Sequence, residues 1–288
     1  MKKFTFKLWA VLLLMLVSLQ TFATDNEYGL KDNIQDGVIL HCFDWTYAQI
    51  KEELPNIAAA GFSAVQTSPA HPREPVGAAW YMLYQPYDYK VGENGLGTKE
   101  GLTELCTEAH QYGVKIIVDV VANHTNGSLS YVASFWQDQS LYHDYQGGID
   151  YSNRWQVTHG RLGMWDLKTE DSRVQEKIKE YVAELKSCGV DGIRWDAAKH
   201  IGLPSEGDTF WQNVPDQTMY NYGEILDGTS GDDTVSEKVE VVSQTTGVQL
   251  HPVAGESSAK AMIYNLQGQR VDVNYRDVVV CNGRKYVQ

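Results

Sequence analysis

The sequence predicts an α/β fold built on a parallel sheet. Three observations lead there: helical apolar stripes that each stop at a glycine, β-branched runs that follow those glycines, and polar residues gathered where the runs end. Strands that alternate with helices are joined by crossovers, and crossovers make neighbouring strands parallel.

Residues 38–42 read as the first strand. Ile50, Leu54 and Ile57 form a helical stripe, expected to be interrupted near Pro55, and Gly61 stops it before the run at 63–67. Leu102, Leu105, Ala109 and Tyr112 repeat the pattern, with Gly113 as the stop and 115–120 as a buried strand. Val174, Ile178, Tyr181, Val182 and Leu185 form the next stripe, followed by Gly189 and a strand at 192–196. A fifth strand is expected at 219–224. Glycine suits each helix end because it accepts the left-handed conformation there. Beyond Glu224 the pattern changes. Residues 227–237 are rich in Gly, Asp, Ser and Thr and read as a linker. Residues 238–288 hold short β-type runs, with Asn282-Gly283 as a hairpin turn before Arg284.

A formal charge of −13 argues against a nucleic-acid partner or an anionic membrane surface, since both require basic surface. With 43% hydrophobic residues the chain can bury a sizeable core. Its first 23 residues read as a signal peptide. Lys2 and Lys3 precede an apolar stretch at 8–19, and Ala23 offers a small residue for cleavage before Asp25. The expected location is therefore secreted, periplasmic or cell-surface, of Gram-negative type. No later stretch is long and apolar enough to span a bilayer. Cys42, Cys106, Cys188 and Cys281 lie in no CxxC pattern, and buried free thiols are the expectation over paired ones.

Asp119 with Asn123 and His124, Arg194 with Asp196, Lys199 and His200, and then Glu224 stand at successive strand ends. In a barrel of parallel strands those ends converge on the face that holds the active site. Arg194 and Asp196 are two apart, so on a strand they share a face and the guanidinium is expected to hold Asp196 ionised. Taken alone, that pair also reads as a structural ion pair. An ionised carboxylate facing an acid from the next strand is what a retaining glycosidase needs, at about 5–5.5 Å.

The run from Val118 through Asp119 to Asn123-His124 resembles the first signature of the α-amylase family, glycoside hydrolase family 13. Gly192-Ile193-Arg194-Trp195-Asp196-Ala197-Ala198-Lys199-His200 resembles the second, and Gly223-Glu224-Ile225 the third. Trp80-Tyr81, Tyr84-Gln85-Pro86 and Leu96-Gly97-Thr98 are also similar to that family, and the likeness runs over residues 37–226. By position, the resemblance makes Asp196 the nucleophile and Glu224 the general acid/base, with Arg194 positioning Asp196. It implies that His124 contacts the sugar at the cleavage point and Tyr84 stacks beneath it. Trp80, Tyr81 and Gln85 would bind neighbouring sugars, and Lys199 and His200 glucose on the leaving side, a pattern that favours endo-acting hydrolysis of α-1,4 bonds in starch-like α-glucans. It further implies a Ca2+ site from the Asn123 side chain, the Asp166 carboxylate and the His200 carbonyl, with another carbonyl from near Thr158.

The family's fourth signature, a strand ending in a His-Asp pair, has no counterpart. The only His after Glu224 is His251, followed by Pro252 and Val253. The expectation is thus a partial (β/α)8 TIM barrel at 24–226 with strands one to five, followed by a small C-terminal β segment. Residues 263–271 resemble the C-terminal β module of secreted Bacteroidetes proteins, which serves export or surface attachment. Activity impaired by loss of the third carboxylate is expected; the alternative is a catalytically defective α-glucan-binding or remnant fragment.

Overall fold

The computed structural model describes residues 26–73, 79–145 and 147–225, with the backbone of five short strands beyond them. The leader at 1–23, the linker at 227–237 and His251 lie outside the described residues. Five parallel strands form in chain order: β1 (Ile39–Cys42), β2 (Ala64–Thr67), β3 (Lys115–Val121), β4 (Gly192–Asp196) and β5 (Tyr220–Gly223). Each strand pairs with the next, which is the winding of a barrel and not of an open sheet with a switch point. The sheet also curls. Tyr222 on β5 donates its hydroxyl to Gln66 Oε1 on β2 at 2.5 Å, and Ile34, Ala64, Ile117 and Tyr222 form a buried cluster around that contact.

Between the strands run α1 (Tyr47–Ala59), α2 (Lys99–Gln111), the short α3 (Arg154–His159), α4 (Ser172–Ser187) and the short α5 (Phe210–Asn213). The three long helices bury their predicted stripes against the sheet, and from Ile116 to Val121 strand β3 is buried on both faces. A strand covered on both sides must be apolar throughout, apart from the residues that carry chemistry. Gly61, Gly113 and Gly189 take φ of 87°, 74° and 94°, as the helix stops require.

Pro55 does not interrupt its helix: α1 continues through it to Ala59. Ile50, Leu54 and Ile57 are all fully buried. Anchoring on both sides of the proline, with about 1.5–3 kcal/mol from each such side chain, offsets a break that costs about 3 kcal/mol. At the other end Thr46 and Gln49 form a capping box, with Thr46 N–H donating to Gln49 Oε1 at 2.8 Å and Gln49 N–H to Thr46 Oγ1 at 3.2 Å.

The connection from β3 to α4, residues 122–171, is far longer than the roughly 2–6 residues usual in such units. It contains α3 and folds back on itself through bridges between His124 and Asp166 and between Tyr142 and Leu167. This excursion, together with the β4 and β5 ends, builds the site described below.

Beyond β5 the structure adds a feature to the expected pattern. Glu240–Val241 (β6) pairs in parallel with Tyr222 and Gly223, as a sixth strand of the main sheet and not as part of the C-terminal β segment. Parallel pairing satisfies backbone groups that the β5 edge would otherwise leave open. The remaining strands, β7 (Ile263–Asn265), β8 (Arg270–Val271), β9 (Val278–Cys281) and β10 (Arg284–Val287), form an antiparallel sheet in the order β10-β9-β7-β8. The expected hairpin is there, with Cys281 opposite Arg284. Cys42, Cys106 and Cys188 are buried and free. Among the described residues no helix is long and apolar enough to cross a membrane.

Candidate active site

Strand register sets the centre of the site. Asp119 on β3 lies beside Arg194 on β4, and Arg194 lies beside Tyr222 on β5. Arg194 Nη1 donates to Asp119 Oδ1 and Oδ2 at 2.8 and 2.7 Å and to Asp196 Oδ1 at 2.9 Å. Its Nη2 is 2.5 Å from Glu224 Oε1. One guanidinium therefore gathers three carboxylates from three consecutive strand ends.

Asp119 is fully buried, and the Tyr84 hydroxyl donates to its Oδ2 at 3.0 Å. Glu224 is tied to the β4 end twice more: its N–H donates to the Trp195 carbonyl at 2.9 Å, and its Oε2 accepts from Ala197 N–H at 3.1 Å. Ala197 has φ of 49°, an uncommon value for a residue with a Cβ. That left-handed residue turns the chain sharply after Asp196, so its own N–H meets Glu224 while Lys199 and His200 follow into the cleft.

The electrostatics differ from the sequence expectation in one respect. Burial and the Asp119 carboxylate push Asp196 up, with Arg194 opposing them. Burial likewise pushes Asp119 up against Arg194. Burial and the neighbouring carboxylates thus work against the ionised form of Asp196 that Arg194 favours. Nearby imidazoles respond in the opposite sense: burial lowers His124 to about 4, and burial together with Arg194 lowers His41 to about 4. Neutral His124 presents its Nε2 to the Tyr84 carbonyl at 3.1 Å; a carbonyl only accepts, so that nitrogen carries the proton.

A cleft of about 270 Å³ opens over these groups, lined by Tyr84, His124, Asp196, Lys199, His200 and Glu224 together with Tyr151, Leu162, Met164 and Ala197. Lys199 Nζ sits 4.8 Å over the Tyr151 ring, and His200 Nδ1 is 2.8 Å from the Val157 carbonyl. The backbone that carries them is clamped by Arg154, which donates to the Lys199 and Ile201 carbonyls and pairs with Glu206. Trp80 and Tyr81 lie on a 3-10 turn (Trp80–Tyr84), each 51% exposed. Trp80 contacts Tyr84 edge-on at 6.5 Å, and Phe43 stacks on Tyr84 at 6.3 Å, so exposed aromatic surface runs outward from the cleft. Gln85 ends the turn, half-buried, with no side-chain hydrogen bond to a cleft residue among the described residues.

The sequence reading named most of this cleft. Asp119 stood among the strand-end polar residues without a role, and the register beside Arg194 supplies one. Tyr151, Leu162, Met164 and Arg154 had no expected role in the cleft, because each belongs to the long connection and reaches the cleft only through its folding.

Asn123 and Asp166 are brought together as a Ca2+ site requires. Asn123 Nδ2 donates to Asp166 Oδ1 at 3.1 Å, and His143 Nδ1 is 2.7 Å from Asp166 Oδ2. Burial pushes the Asp166 carboxyl up to about 6, with His143 and Asn123 opposing it. The contact of His200 with residue 157 also brings it next to Thr158. A buried carboxylate and a side-chain amide from separate segments offer hard oxygen donors, so the donor chemistry of this pair fits Ca2+.

Comparison with known proteins agrees with this architecture. Residues 46–280 match the family described as alpha amylase, catalytic domain. The alpha-amylase of Clostridium acetobutylicum is 40% identical over 227 residues, covering 72% of this chain and 30% of that protein. The alpha-amylase of Butyrivibrio fibrisolvens is 32% identical over 247 residues, covering 72% of this chain and 25% of that protein. The chain thus spans about a third or less of these relatives' length. Among solved structures, an alpha-amylase from Malbranchea cinnamomea superposes with a TM-score of 0.58 at 27% identity, covering 68% of this chain and 49% of that one. An Eisenia fetida alpha-amylase I, solved with maltohexaose, shares the fold with a TM-score of 0.59 at 24% identity, covering 66% of this chain and 45% of that one. With a family match over most of its length, a barrel-type parallel sheet and these relatives, the chain belongs to the α-amylase family.

Proposed function

We propose that this chain is an α-amylase-type hydrolase that cleaves internal α-1,4-glucosidic bonds of starch-like α-glucans with retention of configuration. The observation that carries the reading is Asp196 and Glu224 held on two nitrogens of one guanidinium at the floor of a cleft. Asp196 attacks the anomeric carbon once ionised, and Arg194 at 2.9 Å favours that form. Glu224, protonated, leaves the guanidinium and donates its proton to the departing glucosidic oxygen. It then takes a proton from the water that hydrolyses the glucosyl-enzyme ester. His124, Tyr84, Lys199 and His200 bind and orient the sugars, with Trp80, Tyr81 and Gln85 engaging those further along the chain. Ca2+ held by Asn123, Asp166 and the His200 carbonyl supplies rigidity to the wall of the cleft. The leader at 1–23 directs the protein out of the cytoplasm.

A second reading has its own observation. The sequence after Glu224 contains no His-Asp pair. Asp119 does not replace the missing carboxylate, because it is fully buried with its oxygens on Arg194 and Tyr84. Losing one transition-state contact in such a site costs on the order of 10²–10³ in rate. This chain is therefore expected to bind α-glucan and turn it over slowly. Proton NMR of the first sugar released from maltohexaose tests the chemistry. The α-anomer should appear first, and Asp196→Asn should abolish release; a β-anomer first, or full activity in Asp196→Asn, defeats the assignment. Retention on insoluble starch without any release by the wild-type chain selects the binding-only reading.

A further inference from the structure

The long β3–α4 connection assembles a second cluster, outside the cleft. His143, His159 and Glu170 each offer one ligand atom, and these atoms all lie within 4.8 Å of one another. They come from separate segments: the loop after Leu141, the last residue of α3, and the loop before α4. His143 is buried, with Nδ1 2.7 Å from Asp166 Oδ2 and Nε2 3.2 Å from both carboxylate oxygens of Glu170. The His159 ring lies 4.1 Å from the His143 ring, centre to centre, tilted by 34°. A cavity of about 90 Å³ opens at this cluster, lined also by Thr158, Glu206 and Asp208.

We propose that His143, His159 and Glu170 form a binding site for a divalent transition-metal cation of the zinc class, separate from the Ca2+ expected at Asn123 and Asp166. Two imidazole nitrogens and one carboxylate oxygen are a donor set that selects Zn2+, Ni2+ or Cu2+ over Ca2+, which prefers oxygen alone. The spacing supports it. Bonds of about 2.1 Å in a tetrahedron put neighbouring ligand atoms about 3.4 Å apart. His143 Nε2 and Glu170 already stand at 3.2 Å, and only a small closure brings His159 in. Behind the site, Asp166 accepts from His143 Nδ1–H, and Nε2 meets the Glu170 oxygens as a donor, through the proton that a bound cation would replace. A carboxylate behind a ligating histidine is the usual way a protein orients such a ring. Three protein ligands leave a fourth position to water, and the cavity has room for it. The metal ties three parts of the connection together, one of them hydrogen-bonded to Asp166. Bound cation therefore stabilises the segment that forms one side of the cleft.

His159 also stacks on the half-exposed Trp155, centroids 4.6 Å apart at 21°, which provides an optical reporter. The test titrates the full chain with Zn2+ in buffer containing excess Ca2+, by calorimetry and equilibrium dialysis. One Zn2+ per chain is expected. His159→Gln and Glu170→Gln, at positions exposed enough to tolerate substitution, should each weaken it on the order of tenfold or more. His110→Gln, at a separate surface His–Asp pair, should leave it unchanged. Ni2+ should quench fluorescence in the wild type and lose that component in Trp155→Phe. No Zn2+ binding, equal binding in His159→Gln and Glu170→Gln, or displacement of Zn2+ by Ca2+ mole for mole would each overturn the proposal; in the first case the cluster is only an ion pair between His143 and its two carboxylates.

Discussion

Arg194→Leu removes the cation that three carboxylates share. Asp119 would then be fully buried with only the Tyr84 hydroxyl at 3.0 Å as partner, and Asp196 would lose its 2.9 Å contact. Stranding one member of a buried ion pair costs about 3–5 kcal/mol. Three such losses do not add, because a stranded carboxylate takes up a proton before it bears the whole penalty. The expected loss is therefore about 3–5 kcal/mol at pH 7.5, a large part of a domain's usual 5–15 kcal/mol. Its pH dependence follows from the direction in which the carboxyls move. Asp119 and Asp196 are already raised by burial, and removing Arg194 raises them further. A raised carboxyl keeps its proton in the folded state above the pH at which the unfolded chain releases it. The variant's deficit is thus smallest in acid and grows as pH rises through the raised value. The deficit should therefore be smaller at pH 5.0 than at 7.5. Urea unfolding followed by circular dichroism at both pH values measures it. Adding Asp119→Leu should restore part of the loss, because an apolar pair replaces a stranded charge. A loss under about 1 kcal/mol at pH 7.5, or the same loss at both pH values, would falsify the shared-guanidinium account.

Two further outcomes are expected. Chelation by EDTA should lower the melting temperature and added Ca2+ should restore it; Asp166→Asn should abolish that response, and a melt indifferent to all three removes Ca2+ from the account. Acid should destabilise the native state through His71, which burial lowers to about 3. The unfolded histidine binds its proton below about 6.5 while the folded one does not, so this contribution is complete above pH 6.5 and shrinks as pH falls toward 3. Between pH 7.5 and 5.0 the loss is roughly 2 kcal/mol, and His71→Leu should flatten the unfolding free energy over that interval by the same amount.

Local patterns along the chain were enough to locate the first five strands, the three long helices and the carboxylates. Apolar stripes of period 3.6 ending at Gly61, Gly113 and Gly189 are local signals, and each produced the predicted helix stop. The runs around Asp119, Asp196 and Glu224 placed those residues at strand ends, because side-chain direction along a strand is set by position alone. Local rules misjudged Pro55, where burial on both flanks outweighed the proline. They also placed the β-type run at Glu240–Val241 in the C-terminal segment, since its pairing with β5 depends on an open edge and not on the segment's own composition.

How the charges share partners emerged only on folding. Arg194 and Asp196 read as a pair in sequence, but the β3–β4 register adds Asp119 and the β5 end adds Glu224, and burial together with these carboxylates raises Asp196 against the pull of Arg194. The same holds for the connection at 122–171. His143, His159 and Glu170 are widely spaced in sequence, and nothing local marks them as neighbours. Bridges at His124–Asp166 and Tyr142–Leu167 fold the connection back so that they meet. Distances between remote residues depend on packing and register, and those are properties of the whole chain and not of any window along it.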